Sequence, residues 1–140
     1  MKRHQAQVAY RVPYADTDRM GVVYYANYLV YFERVRNQFL SDIALPYREL
    51  EEQGILLPVV KAEIDYKRPA EFDDVLHIYG TATQHSPTRL RFECSVYREA
   101  LLLARGYTIH AVLDKASGKP VKAPPALEAS CEAAAAGIAG

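Results

Sequence analysis

Apolar positions change period along this chain, and each change of period marks an element. Residues 6–12 are β-compatible and stop at Pro13. From about Val23 to Asp42 the spacing becomes helical: Tyr25, Leu29, Phe32, Arg36, Phe39 and Leu40 recur together, and Tyr28, Val35 and Ile43 widen the apolar side. The pattern predicts one long helix, roughly 30 Å at about 1.5 Å per residue. A second, short helix is expected from Pro46, which suits a first helical turn, to Gln53, with Gly54 as its stop.

After Gly54 the period falls to two. Val60, Ala62, Ile64 and Tyr66 alternate with Lys61, Glu63, Asp65 and Lys67, up to Pro69. Leu76, Ile78, Gly80 and Ala82 form a second alternating run, and Leu90, Phe92, Cys94 and Val96 a third. A tight Arg98-Glu99-Ala100 connection leads into Leu102 to Leu113, and Pro120 to Lys122 add a last edge strand. These are strands of an antiparallel sheet with one buried face. One long helix before four or five such strands is most economically packed by curling the sheet around it. The curled sheet keeps an open edge, so a homodimer is the default expectation. Residues 1–125 then form a single domain, and the Ala-rich 126–140 a frayed or disordered tail.

Composition narrows the function. Lys plus Arg and Asp plus Glu are 17 each, so no net field draws the chain to nucleic acid or an anionic membrane. No apolar run reaches the roughly twenty residues of a membrane span. Cys94 and Cys131 are far apart with no signal peptide ahead of them, which predicts a reduced, cytosolic protein. His4, His77, His85 and His110 lack metal-ligand spacing, so no metal is expected. Cys94 falls in the apolar register of a strand, and no Gly-x-Ser-x-Gly elbow is present.

The candidate chemistry lies between Tyr14 and Tyr28, where Asp16 and Asp18, the turn residue Gly21 and the start of the long helix fall together. The first amides of a helix lack intrahelical acceptors and carry the positive end of its dipole. A carboxylate beside them supplies half of a hydrolytic site: the acid handles water or attacks carbon, and the amides hold the oxyanion. Asp16, Thr17 and Asp18 are equally the residues a turn or helix cap uses.

The run Asp16-Thr17-Asp18-x-x-Gly21-Val22-Val23-Tyr24-Tyr25-x-Asn27-Tyr28, continued by Tyr31-Phe32-Glu33-Arg34, closely resembles the hotdog-fold acyl-CoA thioesterases. Within them it is similar to the branch of the 4-hydroxybenzoyl-CoA thioesterases and the tol–pal-associated thioesterases. The likeness continues through Tyr66-x-x-Pro69, Phe72-Asp73-Asp74-Val75-Leu76 and Ala104-x-Gly106, and ends near Pro124. The resemblance implies an α+β hotdog fold, about five antiparallel strands curled around one long central helix, and a cofactor-free hydrolase of acyl-CoA. It implies Asp18 as the catalytic acid, with Asp16 as its supporting turn residue, and the backbone N–H of Tyr25 as the donor to the thioester carbonyl. Gly21, Val22, Tyr24 and Tyr28 are the expected substrate-binding residues beside them; Tyr14, Tyr24 and Tyr28 are candidates to shape an acyl pocket, with core and interface packing as the competing reading for the tyrosines, and Glu33 matches the position facing an aromatic acyl group. A helix-surface pairing of Glu33 with Arg36 or Asn37 is the competing reading. Lys67, Arg68, Arg89 and Arg91 are the candidates for the CoA phosphates. The adjacent arginines that contact CoA in the hydroxybenzoyl enzyme fall here on Ser86 and Pro87. A homodimer pairing into a homotetramer is implied as well. The rival readings are an acyl-carrier-protein thioesterase of the same fold and a non-catalytic acyl-CoA binding module. A hotdog dehydratase needs a His-centred site that the sequence lacks.

Overall fold

A computed structural model describes residues 4–131. In chain order the elements are β1 (Ala6–Arg11), a 3-10 turn (Tyr14–Asp16), α1 (Asn27–Asp42), α2 (Tyr47–Glu52), β2 (Ile55–Leu56), β3 (Val59–Tyr66), β4 (Val75–Ser86), β5 (Arg89–Arg98), β6 (Leu101–Ala111) and β7 (Leu113–Asp114). A five-stranded sheet has the order β1-β4-β5-β6-β3, and β2 and β7 pair separately. Every pairing is antiparallel. Pro120, expected in an edge strand, makes only an isolated bridge to Leu113.

The alternation on β4 and β5 places Leu76, Ile78, Ala82, Leu90, Phe92 and Val96 in the core. Helix α1 covers that face with Tyr28, Tyr31, Phe32, Val35, Phe39 and Leu40, all buried. The ring of Phe39 meets that of Phe92 edge-on at 5.8 Å. A Cβ on Gly80 would stand 2.8 Å from Val35 Cγ1, so the missing side chain lets the helix settle onto β4.

The helix is shorter than its periodicity implied. Val22 and Val23 are held in bridges to Glu71 and Thr17, and the Asn27 amide closes a turn on Tyr24 O at 2.9 Å, so helical geometry begins only at Asn27. Tyr25 therefore precedes the helix, and Leu29 falls beside the buried stripe; they are 62% and 41% exposed. The short second helix runs from Tyr47 to Glu52, with Pro46 as its N-cap and Gly54 beyond it at φ 80°.

Strand β3 departs from expectation too. Val59, Val60 and Tyr66 are 50%, 46% and 48% exposed. The reason is position: β3 is the outermost strand next to β6, whereas α1 lies against β1, β4 and β5. Of the expected C-terminal tail, residues 126–131 are helical and bury Leu127 and Cys131; residues 132–140 lie outside the described residues. Among the described residues no helix is long and apolar enough to cross a membrane.

His110 is fully buried on β6. Its Nδ1 faces the Leu57 carbonyl at 2.8 Å and its Nε2 the Thr108 hydroxyl at 2.8 Å. A carbonyl only accepts, so Nδ1 carries the proton and the neutral ring takes the threonine proton at Nε2. Burial lowers its pKa from 6.5 to about 4, against the opposing Leu57 bond. Between these values the unfolded chain binds the extra proton. Stability is therefore complete above about pH 6.5 and is lost as pH falls toward 4, by on the order of 2 kcal/mol at pH 5. Urea unfolding at pH 7.5 and pH 5 should show this loss in the wild type and a smaller one in His110→Gln. Equal losses in the two proteins would remove His110 from the acid sensitivity.

Candidate active site

The residues from Tyr14 to Tyr28 fold on their own backbone. The Asp18 N–H donates to Val22 O at 2.9 Å and the Gly21 N–H to Asp18 O at 3.0 Å, closing a turn that needs Gly21 at φ 81°. Asp18 Oδ1 accepts the Met20 amide at 2.8 Å. The Asp18 side chain is exposed, and its second oxygen has no partner among the described residues. One oxygen thus fixes the turn while the other is available for chemistry.

The start of α1 lies beside this turn. Its cap residue, Ala26, makes no side-chain cap bond, and its first turn holds no acid. The Tyr24 amide donates to Asp16 O at 2.9 Å, but the Tyr25 amide has no acceptor among the described residues. The Tyr25 carbonyl is held by the Tyr66 hydroxyl at 2.9 Å. An uncommitted amide next to an uncapped helix start is suited to developing negative charge.

Asp18, Val22, Tyr25, Tyr28, Lys67 and Arg68 line one cleft of about 310 Å³, together with Val23, Tyr66 and Pro69. The last three were outside the sequence-predicted set, although Tyr66 and Pro69 belong to its Tyr66-x-x-Pro69 motif. The Tyr66 ring meets that of Tyr28 edge-on at 5.2 Å and that of Tyr25 at 6.5 Å, so three phenols wall one side. Burial, first among the causes, raises the pKa of both Tyr28 and Tyr66, which keeps them neutral. The backbone amides of Lys67 and Arg68 both donate to Leu103 O, at 2.8 and 3.0 Å. Their exposed side chains form no ion pair among the described residues, so the cleft is lined by two uncommitted cations and one carboxylate.

Other predicted residues lie elsewhere. Gly21 shapes the turn, and Tyr24 is exposed with its ring 4.8 Å from that of Tyr25. Tyr14 is 76% exposed and packs edge-on against Phe72. Glu33 is exposed on α1, where its charge partly opposes the burial that lowers the Arg36 pKa. Arg89 and Arg91 fall on the face of β5 opposite Leu90 and Phe92, as strand alternation requires. Arg91 is engaged there, with Nε 3.0 Å from Glu93 Oε1 and its guanidinium 3.7 Å over the Tyr107 ring. Cys94 is buried, and burial pushes its thiol up to about 12, so it is no nucleophile.

Comparison with known proteins agrees on one family. A family model described as the thioesterase-like superfamily matches residues 12–130. The acyl-CoA thioesterase YbgC of Haemophilus influenzae is 35% identical over 86% of this chain and 89% of its own. The acyl-CoA thioester hydrolase YbgC of Escherichia coli is 32% identical over 85% and 90%. The crystal structure of a 1,4-dihydroxy-2-naphthoyl-CoA thioesterase from Synechocystis superposes with a TM-score of 0.84 at 29% identity, covering 91% of this chain and 96% of that one.

Proposed function

Because the chain belongs to the thioesterase-like superfamily, we propose that it hydrolyses the thioester of an acyl-CoA to the free acid and CoA, with Asp18 as the reacting carboxylate and the Tyr25 amide as oxyanion donor. The observation that carries this reading is the single cleft that Asp18, with one free oxygen, shares with Tyr25, whose amide lacks an acceptor among the described residues. Asp18 takes a proton from the attacking water, or attacks the carbonyl carbon itself to give an anhydride that water then opens. On either route the carbonyl oxygen gains negative charge at the helix start, the C–S bond breaks, and the CoA thiolate leaves and is protonated. The five-stranded antiparallel sheet with α1 against β1, β4 and β5 supports reading the fold as a hotdog with α1 as its central helix. A screen of acyl-CoAs of graded length, with aromatic ones included, followed by thiol release, tests the activity. A flat panel would favour a binding module instead.

Lys67 and Arg68 at the rim are suited to the CoA phosphates. A phosphate contact is made alike in ground and transition states, so Lys67→Ala/Arg68→Ala should raise KM for acyl-CoA on the order of tenfold with kcat within about twofold. A short acyl thioester without the nucleotide should be indifferent to the change. An unaltered KM for acyl-CoA would remove both residues from recognition.

The exposed edge of β3, with Val59, Val60 and Tyr66, is suited to a second copy, giving a homodimer and from it a homotetramer. Light scattering behind size exclusion should find no monomer at micromolar concentration. A monodisperse monomer would end this part of the reading.

A further inference from the structure

Two separate elements converge on one oxygen of Asp16. The Tyr10 hydroxyl, from β1, donates to Asp16 Oδ2 at 2.7 Å, and the Tyr31 hydroxyl, from α1, donates to the same atom at 2.8 Å. The two rings pack at 5.0 Å, and the Arg34 guanidinium lies 4.5 Å over the Tyr10 ring. Burial first, and then the bond to Asp16, raises the pKa of both tyrosines, so both stay protonated donors. The backbone of Asp16 is engaged as well: its carbonyl accepts the Tyr24 amide at 2.9 Å and the Asn27 side-chain amide at 2.9 Å. Two residues on is Asp18, and immediately after Tyr24 is the uncommitted amide of Tyr25.

We propose that Asp16 is a positioning residue, through which Tyr10 and Tyr31 set the Asp18 turn against the start of α1. The inference rests on the assignment of Asp18 and Tyr25 made above. Without the clamp, the 14–26 segment would be tied to the rest of the fold chiefly by the Val22–Glu71 bridge, the Val23 amide on Ala70 O and the Tyr66 hydroxyl on Tyr25 O, because the Thr17–Val23 bridge is internal to the segment. Carboxylate and amide must close on one carbonyl group together, and an error of about 1 Å in such a pair costs on the order of 10²-fold in rate. Tyr10, Asp16 and Tyr31 are not among the residues that line the cleft, so loss of the clamp is expected to act on kcat rather than on KM.

The test uses Tyr10→Phe, Tyr31→Phe and their combination, which keep the rings and remove only the donors, because Asp16→Ala can fail to fold. The double variant should lose kcat by 10- to 100-fold with KM within about threefold, at a temperature where circular dichroism shows it folded. Leu90→Val, a core change beside Gln84 at the far end of β4 from the Tyr10–Leu76 pair, should lower Tm yet keep kcat, which separates positioning from general destabilisation. Asp16→Asn, which retains one carbonyl acceptor, should retain more kcat than the double variant. A folded Tyr10→Phe/Tyr31→Phe enzyme with kcat within twofold of wild type would overturn the proposal and leave Asp18 untouched. Full activity in Asp18→Asn would overturn both.

Discussion

Asp18→Asn should lower kcat by on the order of 10² to 10⁴ while acyl-CoA still binds. The change keeps the size of the side chain and leaves a carbonyl oxygen for the Met20 amide, so the Asp18–Gly21 turn persists. It removes the only carboxylate that lines the cleft among the described residues, the group proposed to accept a proton from water or to attack carbon. If Asp18 were only a turn acid, the outcome would be a loss of about 1 kcal/mol from a weakened cap-like bond, with turnover nearly intact. Thermal unfolding and kcat measured on one preparation separate the two. Near-normal kcat in folded Asp18→Asn would leave the family assignment standing and remove the mechanism.

Gly106→Ala should be the most damaging added methyl among the described glycines. A Cβ on Gly106 would lie 2.1 Å from the Glu63 carbonyl oxygen and 2.9 Å from Ile64 Cα, both backbone atoms of β3. Backbone cannot rotate aside as a side chain does, so β3 must move off β6 or the ladder must open. The expected cost exceeds about 3 kcal/mol, a fall in Tm on the order of 10 °C for a domain of this size. Gly118→Ala is the comparison: Gly118 has φ 72° and no atom within 4 Å of its added Cβ, so backbone strain alone should cost about 1 kcal/mol. Activity should fall with Gly106→Ala as well, because displacing β3 carries Tyr66 away from the Tyr25 carbonyl it holds. Equal Tm losses in the two variants would mean that β3 yields easily.

The sequence determines by itself whatever depends on local period. The alternation of Leu76 to Ala82 and Leu90 to Val96 predicts two central strands, and the structure buries those positions because the helix covers them. The same alternation already assigns Arg89 and Arg91 to the opposite face. The Asp18-x-x-Gly21 turn is equally local, since it needs only one short acid and one residue free to take φ 81°. Period could not say that the β3 apolar side would be left open, because strand order, not strand pattern, decides which strands α1 reaches. Nor could it start the helix at Asn27, since the bridge from Val22 to Glu71 is made across 49 residues. The cleft is a product of tertiary structure in the same sense. Lys67 and Arg68 line the same cleft as Asp18 because β3 ends at Tyr66, whose hydroxyl holds the Tyr25 carbonyl. The Asp16 clamp joins a strand, a turn and a helix at one oxygen atom. A hydrogen bond needs its donor and acceptor within about 3 Å, and no spacing along an unfolded chain brings Tyr10, Asp16 and Tyr31 that close until the sheet and helix have packed.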